Sequence, residues 1–412
     1  MENVKKAYEI IYQTRYKAAF ASLMIKELDD SYNPALITEL VYGTLRNYYL
    51  VRENWRRFTK TKLSQQISSL LDLGIYMIIY SDKPDYAVVN NIVEISKKIK
   101  KKKYTKLVNA VLNEFIRQGP LKFDEDDITQ LSIKYSNPLW LTNLWNAHYG
   151  LDRTKEILKY NLTRNTLTLR VNPHKISRDQ LLALDSNFKA GSLAPEEIYY
   201  EGNIFQTDYF KDGLVSVQDA ASQLVAHAVT FIDTDKVLDA CSAPGTKATH
   251  IASLRHDKGH IDAVELYESR SNLIRNSLAR LDLSSISVYN HDARFLEEIL
   301  EVNDYDHVLL DVPCTGFGVM RGKAEIKINT KPEDIDSIVK LQEEIINSAL
   351  PMLKVGGNLI YSTCTLNKKE NENQVARILR LNPNFELVSE ETIFGYEHQS
   401  DSFYLAVLKK LN

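Results

Sequence analysis

The segment Asp239-Ala240-Cys241-Ser242-Ala243-Pro244-Gly245-Thr246-Lys247 decides the fold of this chain. It follows the apolar pair Val237-Leu238 and leads into a helical pattern, so it predicts a strand, a tight loop and a helix. From about residue 235 onward, the same order of strand, loop and helix recurs. This repetition is typical of a doubly wound, Rossmann-like α/β domain, whose ligands bind at the carboxyl ends of parallel strands.

Two later strands of this domain lead into segments that contain a cysteine. The predicted strands span residues 236–239, 260–265, 286–289, 307–311, 358–361 and 403–408. The fourth leads into Asp311-Val312-Pro313-Cys314-Thr315-Gly316, and the fifth into Tyr361-Ser362-Thr363-Cys364-Thr365. Because the carboxyl ends of parallel strands meet at one edge of a sheet, we expect the two thiols to lie close together. Such a pair indicates covalent chemistry on an electron-poor ring.

The rest of the chain predicts two further domains, as a length of 412 residues allows. Residues 1–125 carry apolar residues at helical spacing, which predicts an all-α bundle of five or six helices. Residues 126–225 predict a small α+β subdomain with strands near 166–173, 199–200 and 204–205. The α/β domain then occupies residues 226–412.

Charge is divided unevenly along the chain. Residues 1–140 carry 22 lysines and arginines against 16 acidic residues, whereas the whole chain carries 51 against 54. A basic N-terminal part followed by an acidic remainder indicates that the N-terminal part binds a polyanion. The densest basic run extends from Lys97 to Lys103 and is followed by Lys106. Taken alone, this run fits a solvated helix end as well as it fits an RNA contact.

Cysteine usage and hydropathy indicate a reducing compartment. Three cysteines without a CxxC spacing predict neither a disulfide framework nor a structural zinc site, and no bound metal is expected. The first residues lack the apolar segment of a secretory signal, and the most apolar stretch, residues 70–80, is too short to cross a bilayer. We therefore expect a cytoplasmic protein with no membrane partner.

No feature of the sequence demands a dimer, so a monomer is expected.

Four acidic residues end or follow successive predicted strands: Asp239, Glu265, Asp292 and Asp311. A carboxylate after the second strand can accept both hydroxyl hydrogen bonds of a ribose. The loop from Ser242 to Thr246 matches neither the dinucleotide fingerprint nor a P-loop. A cofactor with a nucleoside but no pyrophosphate, S-adenosylmethionine, therefore fits better. The alternative is that these acidic residues only cap the following helices.

The three cysteine segments together resemble the RNA cytosine-5 methyltransferases of the NOL1/NOP2/Sun family. The front part is similar to the NusB-type RNA-binding domain of bacterial 16S rRNA members, through residues 39–46 (ELVYGTLR) and 70–76 (LLDLGIY). The resemblance implies methyl transfer from S-adenosylmethionine to C5 of a cytosine. It also implies that RNA, most readily 16S rRNA, is the substrate and that DNA is not.

The resemblance further implies roles for individual residues. Cys364 would be the nucleophile, Cys314 would assist product release, and Asp311 would contact the cytosine or the methionine end of the cofactor. The first cofactor loop would comprise Cys241, Ser242, Ala243, Pro244, Gly245, Thr246 and Lys247, with Glu265 on the ribose and Asp292 on the adenine side. The chain departs from the family at Thr246, where a second glycine is usual, and at Glu265, where Asp is commoner. Residues 321–327 also depart from the usual pattern of substrate contacts.

Other functions stay open at this level. The same chemistry could act on tRNA or another rRNA, or the chain could be a non-catalytic RNA-binding factor with a degenerate α/β domain. A methyltransferase of small molecules or proteins is a third alternative. The intact Cys364, Cys314 and Asp311 argue against the non-catalytic factor. The cysteine pair and the basic front domain are unexplained by the third alternative.

Overall fold

The computed structural model describes residues 1–17, 19–99 and 102–412, and these form two compact units. The first unit comprises Met1–Arg164 and Met320–Thr330, and the second comprises Asn165–Val319 and Lys331–Asn412. The three-part division predicted from the sequence has other limits, and its boundaries at residues 125 and 225 stay a prediction.

Ten α-helices form the first unit up to Arg164, within the part of the chain that the structure describes. They are α1 Glu2–Tyr16, α2 Ala21–Lys26, α3 Pro34–Arg46, α4 Tyr48–Arg56, α5 Gln65–Tyr80, α6 Asp85–Lys98, α7 Thr105–Gln118, α8 Ile128–Lys134, α9 Leu139–Tyr149 and α10 Leu151–Tyr160. Asn33 caps α3 by accepting the N–H of Leu36 at 3.0 Å, and Pro34 occupies the first helical position. Seven α-helices, rather than five or six, lie within residues 1–118, partly because Asn47 separates α3 from α4.

A buried carboxylate joins three of these helices. Asp72 of α5 is fully buried and accepts a hydrogen bond from the indole N–H of Trp55 at 2.7 Å. It also pairs with Arg52 of α4 at 2.7 Å and with Arg15 of α1 at 3.3 Å. Burial opposes the charge on Arg52, but the Asp72 carboxylate outweighs it and raises the pKa of that guanidinium. The polar cluster therefore ties α1, α4 and α5 together inside an apolar core.

The second unit begins with a small antiparallel sheet of strand order β2-β3-β1-β4. Its strands are β1 Leu169–Val171, β2 Phe188–Ala190, β3 Glu197–Tyr200 and β4 Val215–Val217, with helices α11 Arg178–Leu184, α12 Asp208–Lys211 and α13 Ala220–Gln223. This arrangement confirms the predicted α+β subdomain. The strand predicted at 204–205 is wrong, because Ile204–Gln206 form a 3₁₀ turn that the Asn203 side chain caps at the N–H of Phe205, 3.2 Å away.

A seven-stranded sheet forms the main part of the second unit, in the order β10-β11-β9-β8-β5-β6-β7. Its strands are β5 Lys236–Asp239, β6 His260–Glu265, β7 Ile286–Asn290, β8 Tyr305–Asp311, β9 Leu353–Thr363, β10 Phe385–Ile393 and β11 Phe403–Lys410. Strand β11 runs antiparallel to both of its neighbours, and the pairs among β5 to β9 are parallel. The predicted doubly wound α/β fold is confirmed. The sequence did not reveal β10, because this edge strand is mostly exposed and lacks apolar alternation.

Helices cover both faces of this sheet. They are α14 Thr246–Leu254, α15 Glu268–Leu281, α17 Pro332–Ala349, α18 Glu372–Leu381 and α19 Gly395–His398, while α16 Ile326–Asn329 belongs to the first unit. Val237 and Leu309 pack with α14 on one face, whereas Leu238 and Leu310 pack with α17 and α18 on the other. Apolar residues therefore occupy both sides of the inner strands, which leaves the strand ends as the accessible edge.

Residues 320–330 follow the Cys314 segment in the chain but pack with the helical unit. The buried Lys327 donates to the carbonyl of Arg46, the last residue of α3, at 2.6 Å. Arg46 in turn donates to the carbonyl of Arg321 at 3.3 Å. Burial lowers the pKa of Lys327 to about 7. Arg321 and Lys327 are thus internal to the helical unit, in the segment that departs from the family pattern.

The lysine run after α6 is only partly described. Lys97 and Lys98 form ion pairs with Glu94 and Glu2, and Lys100 and Lys101 lie outside the described residues. Within the described part of the chain, no helix combines the length and the apolar character needed to cross a membrane.

We predict that Asp72→Asn destabilises the helical unit by about 3–5 kcal/mol, because two buried guanidinium groups lose their counter-charge. Urea unfolding followed by tryptophan fluorescence measures this effect. All three tryptophans, at positions 55, 140 and 145, lie in the first unit and report on it. Glu114→Gln, which removes an exposed pair with Arg117, is the control and should leave the free energy of unfolding nearly unchanged. Equal losses for the two variants would contradict this interpretation.

Candidate active site

The carboxyl ends of β5, β6, β8 and β9 form one edge of the sheet. Asp311 at the end of β8 is in register with Ser362 of β9, whose hydroxyl donates to the Asp311 carboxylate at 3.0 Å. Asp239 ends β5, the neighbour of β8 on its other side, and Glu265 ends β6 beyond it. The acidic residues that the sequence placed at strand ends are therefore collected along this edge.

The loop between β5 and α14 is tightly closed. The N–H of Gly245 donates to the carbonyl of Ser242 at 2.6 Å, and the Gly245 backbone has φ +91°, in the left-handed region that favours glycine. A Cβ atom there would lie 3.0 Å from the side chain of Ile274. Helix α14 starts immediately afterwards at Thr246. The loop thus brings backbone close to the strand ends, and its one left-handed position is occupied by Gly245.

Buried polar atoms without partners lie at the start of this loop. Both carboxylate oxygens of Asp239 and the hydroxyl of Ser242 are buried and lack a well-formed hydrogen bond with the described residues. Burial raises the pKa of Asp239 to about 7, and weak contacts with the Ser242 side chain and the Cys241 backbone oppose that shift only in part. Unsatisfied polar atoms are costly in a protein interior, and here they are what a polar ligand at the strand ends would satisfy.

Glu265 and Asp292 differ in what already occupies their carboxylates. Glu265 is buried and accepts the N–H of Tyr267 at 3.1 Å, with Arg270 at 3.3 Å. Asp292 caps the 3₁₀ helix Ala293–Glu298 through the N–H of Arg294 and pairs with the Arg294 guanidinium at 2.6 Å. The hydrogen bond with Arg294 lowers the pKa of Asp292. Asp292 therefore caps a helix, as the alternative interpretation of the strand-end acidic residues predicts.

Two thiols meet at the ends of β8 and β9. The sulfur of Cys314 lies 3.4 Å from the sulfur of Cys364, although 50 residues separate them in the chain. All three cysteines are free, and these two are close enough for a hydrogen bond but are not joined by a disulfide. The hydrogen bond to Cys364, together with burial, raises the pKa of Cys314 well above its usual value. The expectation that these two residues lie together is confirmed.

A lysine and an aspartate lie beside the thiols. Lys247, in the first turn of α14, pairs with Asp311 at 2.5 Å. Burial opposes the charge on Lys247, but the Asp311 carboxylate outweighs burial and raises the pKa of the lysine. The negative charge of Cys364 acts in the same direction on Lys247. The arrangement can therefore hold a thiolate and a carboxylate next to one buried cation.

Cys241 differs from the other two cysteines. It packs against the apolar core on the α17 side of the sheet, and burial raises its pKa well above the usual value. A buried thiol of this kind is unreactive.

A buried polar network under the thiols was not found by the sequence analysis. Glu370 is fully buried and accepts hydrogen bonds from Thr315, Asn367 and Gln342. In the sequence it stands in the polar run Lys368-Lys369-Glu370-Asn371-Glu372, which looks like a solvated surface. The only available signal was that a threonine follows each of the two cysteines.

A cluster with the composition of a metal site lies elsewhere in the second unit, among the described residues. His227 and His250 approach one oxygen of Glu196 at 2.7 and 3.2 Å. Burial and the neighbouring charge of Arg170 lower the pKa of His250 to about 3, so this imidazole is neutral. The two rings and the carboxylate form a hydrogen-bonded set beside a buried guanidinium, a neighbour that disfavours a bound cation.

Comparisons with known proteins agree with this architecture. A profile described as "16S rRNA methyltransferase RsmB/F" matches residues 226–409, "NusB family" matches residues 3–117, and "Methyltr_RsmF/B-like, ferredoxin-like domain" matches residues 137–189. These matches confirm the predicted NusB-like helical domain and the methyltransferase domain.

Relatives match over nearly the whole chain. "Probable ribosomal RNA small subunit methyltransferase B" of Bacillus subtilis is 36% identical and covers 92% of this chain and 88% of its own length. "Ribosomal RNA small subunit methyltransferase B" of Proteus mirabilis is 30% identical and covers 93% and 92%. The crystal structure of PH0851 has the same fold, with a TM-score of 0.83 at 22% identity over 99% of both chains. This chain therefore belongs to the RsmB/F family of ribosomal RNA methyltransferases.

Proposed function

We propose that this protein transfers a methyl group from S-adenosylmethionine, the cofactor of its family, to C5 of a cytosine in 16S rRNA. The observation that carries the proposal is the pair of thiols 3.4 Å apart at the strand ends, beside the Lys247–Asp311 ion pair. The names of the relatives in Bacillus subtilis and Proteus mirabilis support small-subunit rRNA as the substrate. A cytoplasmic monomer is part of the same proposal.

The strand edge has the groups that the cofactor needs. When bound, S-adenosylmethionine supplies an electrophilic methyl group. Residues Cys241 to Lys247 would line it with backbone, Glu265 would accept the ribose hydroxyls, and Asp292 would lie on the adenine side. The unpaired buried oxygens of Asp239 and Ser242 support a polar ligand at this place. Glu265 is buried, so a charged acceptor there would be desolvated and strong.

Cys364 is the proposed nucleophile. C5 of cytosine is a poor nucleophile, but addition of a thiolate to C6 turns the ring into an enamine with electron density at C5. The thiolate is the attacking form of cysteine. Two adjacent buried thiols do not both ionise readily, so one of the pair keeps its proton. We assign the charge to Cys364, the nucleophile that the family resemblance implies, with Lys247 stabilising it and Cys314 as the protonated partner.

Asp311 is proposed to bind the cytosine ring beside N3, where its carboxylate accepts a hydrogen bond from the N4 amino group, and from N3 once N3 is protonated, and so favours addition at C6. Its carboxylate is held by Lys247 at 2.5 Å and by the Ser362 hydroxyl at 3.0 Å. After methyl transfer the proton at C5 passes to water, the electron pair forms the C5–C6 double bond, and the bond between C6 and the Cys364 sulfur breaks. The Cys314 thiol is close enough to hydrogen-bond the departing sulfur.

The helical unit is proposed to hold the RNA backbone. A stacked cytosine hides C5 and C6 from a nucleophile, so the target base must be unpaired or flipped out, and the flanking phosphates need separate contacts. A cavity of about 570 Å³ in the helical unit is lined by Arg15, Arg52, Arg56, Lys60 and Lys62, among others. Asp72 is buried and engages Arg15 and Arg52, whereas Lys60 and Lys62 are exposed and form no ion pair with the described residues. This cavity suits a phosphodiester backbone.

We expect the two cysteine variants to fail at different steps. With unmodified 16S rRNA and methyl-labelled cofactor, Cys364→Ala should yield no 5-methylcytosine, because no covalent addition occurs. Cys314→Ala should form RNA–protein adduct that survives SDS, because release is impaired. Ser277→Ala, which removes a hydroxyl that donates to the carbonyl of Leu273 within α15, is the control and should keep activity within about threefold of wild type. Activity in Cys364→Ala with loss in Cys314→Ala would reverse the assigned roles.

Glu265→Gln is expected to weaken binding of S-adenosylmethionine about 10- to 100-fold, because hydrogen bonds to a charged acceptor contribute about 1.5–3 kcal/mol. Isothermal titration in the absence of RNA measures the affinity directly. Glu268→Gln, an exposed carboxylate in the first turn of α15, is the matched control and should leave it unchanged. An affinity of Glu265→Gln within twofold of wild type would remove Glu265 from the cofactor site.

Replacing Lys60 and Lys62 together by serine should raise the Kd for a single-stranded 16S rRNA fragment by roughly an order of magnitude near 0.1 M salt. The slope of log Kd against log salt should fall by about 1.4, since each phosphate contact contributes about 0.7. Fluorescence anisotropy over a salt series gives both values. Lys155→Ser with Lys159→Ser removes the same charge from lysines already paired with Asp126 and Glu156, and should change little. Equal losses in the two double variants would indicate non-specific electrostatics instead of a phosphate site.

A further inference from the structure

A buried hydrogen-bonded cluster links the residues that follow the two thiols. Thr315 follows Cys314 and Thr365 follows Cys364, and their hydroxyl oxygens lie 2.7 Å apart. The Thr315 hydroxyl also donates to Glu370 at 2.6 Å, and the Thr315 N–H donates to the other Glu370 oxygen at 2.8 Å. Because the Thr315 proton is directed to Glu370, the hydroxyl of Thr365 is the donor between the two threonines. The chain of donation therefore runs from Thr365 through Thr315 to Glu370.

Both carboxylate oxygens of Glu370 accept hydrogen bonds from several protein groups. Asn367 donates to the first oxygen of Glu370 at 2.8 Å, and Gln342 donates to the second at 3.2 Å. Each carboxylate oxygen thus accepts two hydrogen bonds from the protein. Thr365, Glu370, Gln342 and Asn367 are all fully buried, so water does not compete for these bonds. Buried and fully satisfied polar networks are rigid and fix one arrangement of the groups they join.

We propose that Thr315, Thr365 and Glu370, here called the threonine–glutamate clamp, are positioning residues that hold the Cys314 thiol against the Cys364 sulfur for product release. The inference rests on the proposed function and deepens it. Two of the four hydrogen bonds to Glu370 come from Thr315 and fix the segment after Cys314, and the bond between the two threonines ties that segment to the one after Cys364. The separation of 3.4 Å between the sulfurs follows from this tie.

The geometry explains why the clamp acts on one step. Release breaks the C5–H bond, whose proton goes to water, and breaks the bond from C6 to the Cys364 sulfur, whose electron pair returns to that sulfur. The Cys314 thiol donates a hydrogen bond to the sulfur as the negative charge develops. Such a bond depends steeply on distance, and a displacement of about 1 Å can cost on the order of 100-fold in rate. The addition step depends on Cys364, Lys247 and Asp311, none of which belongs to the clamp, so the clamp affects it less.

Glu370→Gln tests the clamp without removing volume. Each Glu370 oxygen accepts two hydrogen bonds, but a glutamine side chain has only one oxygen and carries an NH₂ donor in place of the other. In either orientation of the amide, this NH₂ group faces two protein donors and cannot accept their hydrogen bonds. Glu372→Gln is the matched control, because Glu372 is a partly buried carboxylate two residues away whose side chain meets Thr392 instead. Thr315→Val removes the linking hydroxyl, and Thr315→Ser restores it.

The experiment follows adduct formation and release separately, in rapid-quench single turnover with 16S rRNA and labelled cofactor. Glu370→Gln and Thr315→Val are expected to form adduct within about threefold of the wild-type rate but to release it about 10- to 100-fold more slowly, so that an SDS-resistant complex accumulates. Thr315→Ser and Glu372→Gln are expected to release RNA at the wild-type rate. Cofactor affinity and circular dichroism verify that each variant is folded. If Glu370→Gln does not fold, the comparison of release rates between Thr315→Val and Thr315→Ser tests the proposal.

Two outcomes would overturn the proposal. Release at the wild-type rate in Thr315→Val would mean that the clamp does not position Cys314. Parallel losses of adduct formation and release would mean that it supports the fold of the whole edge. A failure of the proposed function itself is distinguishable, since wild type and Cys314→Ala would then form no adduct with any RNA.

Discussion

The parallel register of β8 and β9 is the constraint on which the rest of the active edge depends. It sets Asp311 opposite Ser362, and it lets the segments that continue from these strands bring the two thiols to 3.4 Å. Neither strand end alone could supply a thiolate, a second thiol and a carboxylate to one small ring. Leu309 and Leu310 of β8 pack against different helices on the two faces, so a slip of one residue would exchange side chains that are fitted to different neighbours, and this mismatch opposes loss of the register.

Burial at this edge makes its charges interdependent. Lys247 is a buried cation that forms an ion pair with Asp311 and interacts electrostatically with Cys364. Burial also raises the pKa of the nearby Asp239. In such surroundings two adjacent thiolates would repel strongly, so one thiol of the pair keeps its proton. Electrostatics therefore favours one thiolate and one thiol in the pair, and the roles proposed for the two cysteines require the charge to lie on Cys364.

The sequence predicted the elements with strong local patterns and missed those that depend on tertiary contacts. The strand-loop-helix order after residue 235, the thiol pair and the helical front part were all predicted and are confirmed. Strand β10 was missed because an exposed edge strand carries no alternation, and 204–205 was mistaken for a strand because two apolar residues do not distinguish a strand from a turn. Glu370 was missed because charged residues are rarely buried, and only the structure shows the donors that compensate it. Asp292, predicted at the cofactor, also caps a helix, and its role at the adenine stays a prediction.

The proposed mechanism requires that Cys364 forms the bond to the RNA while the clamped Cys314 assists in breaking it. Mass spectrometric mapping of the adduct trapped with Cys314→Ala, after nuclease and protease digestion, tests this requirement at the atom concerned. We expect the methylated cytidine remnant to be attached to the peptide that contains Cys364. Attachment to any other residue, or an adduct without a methyl group on the base, would contradict it.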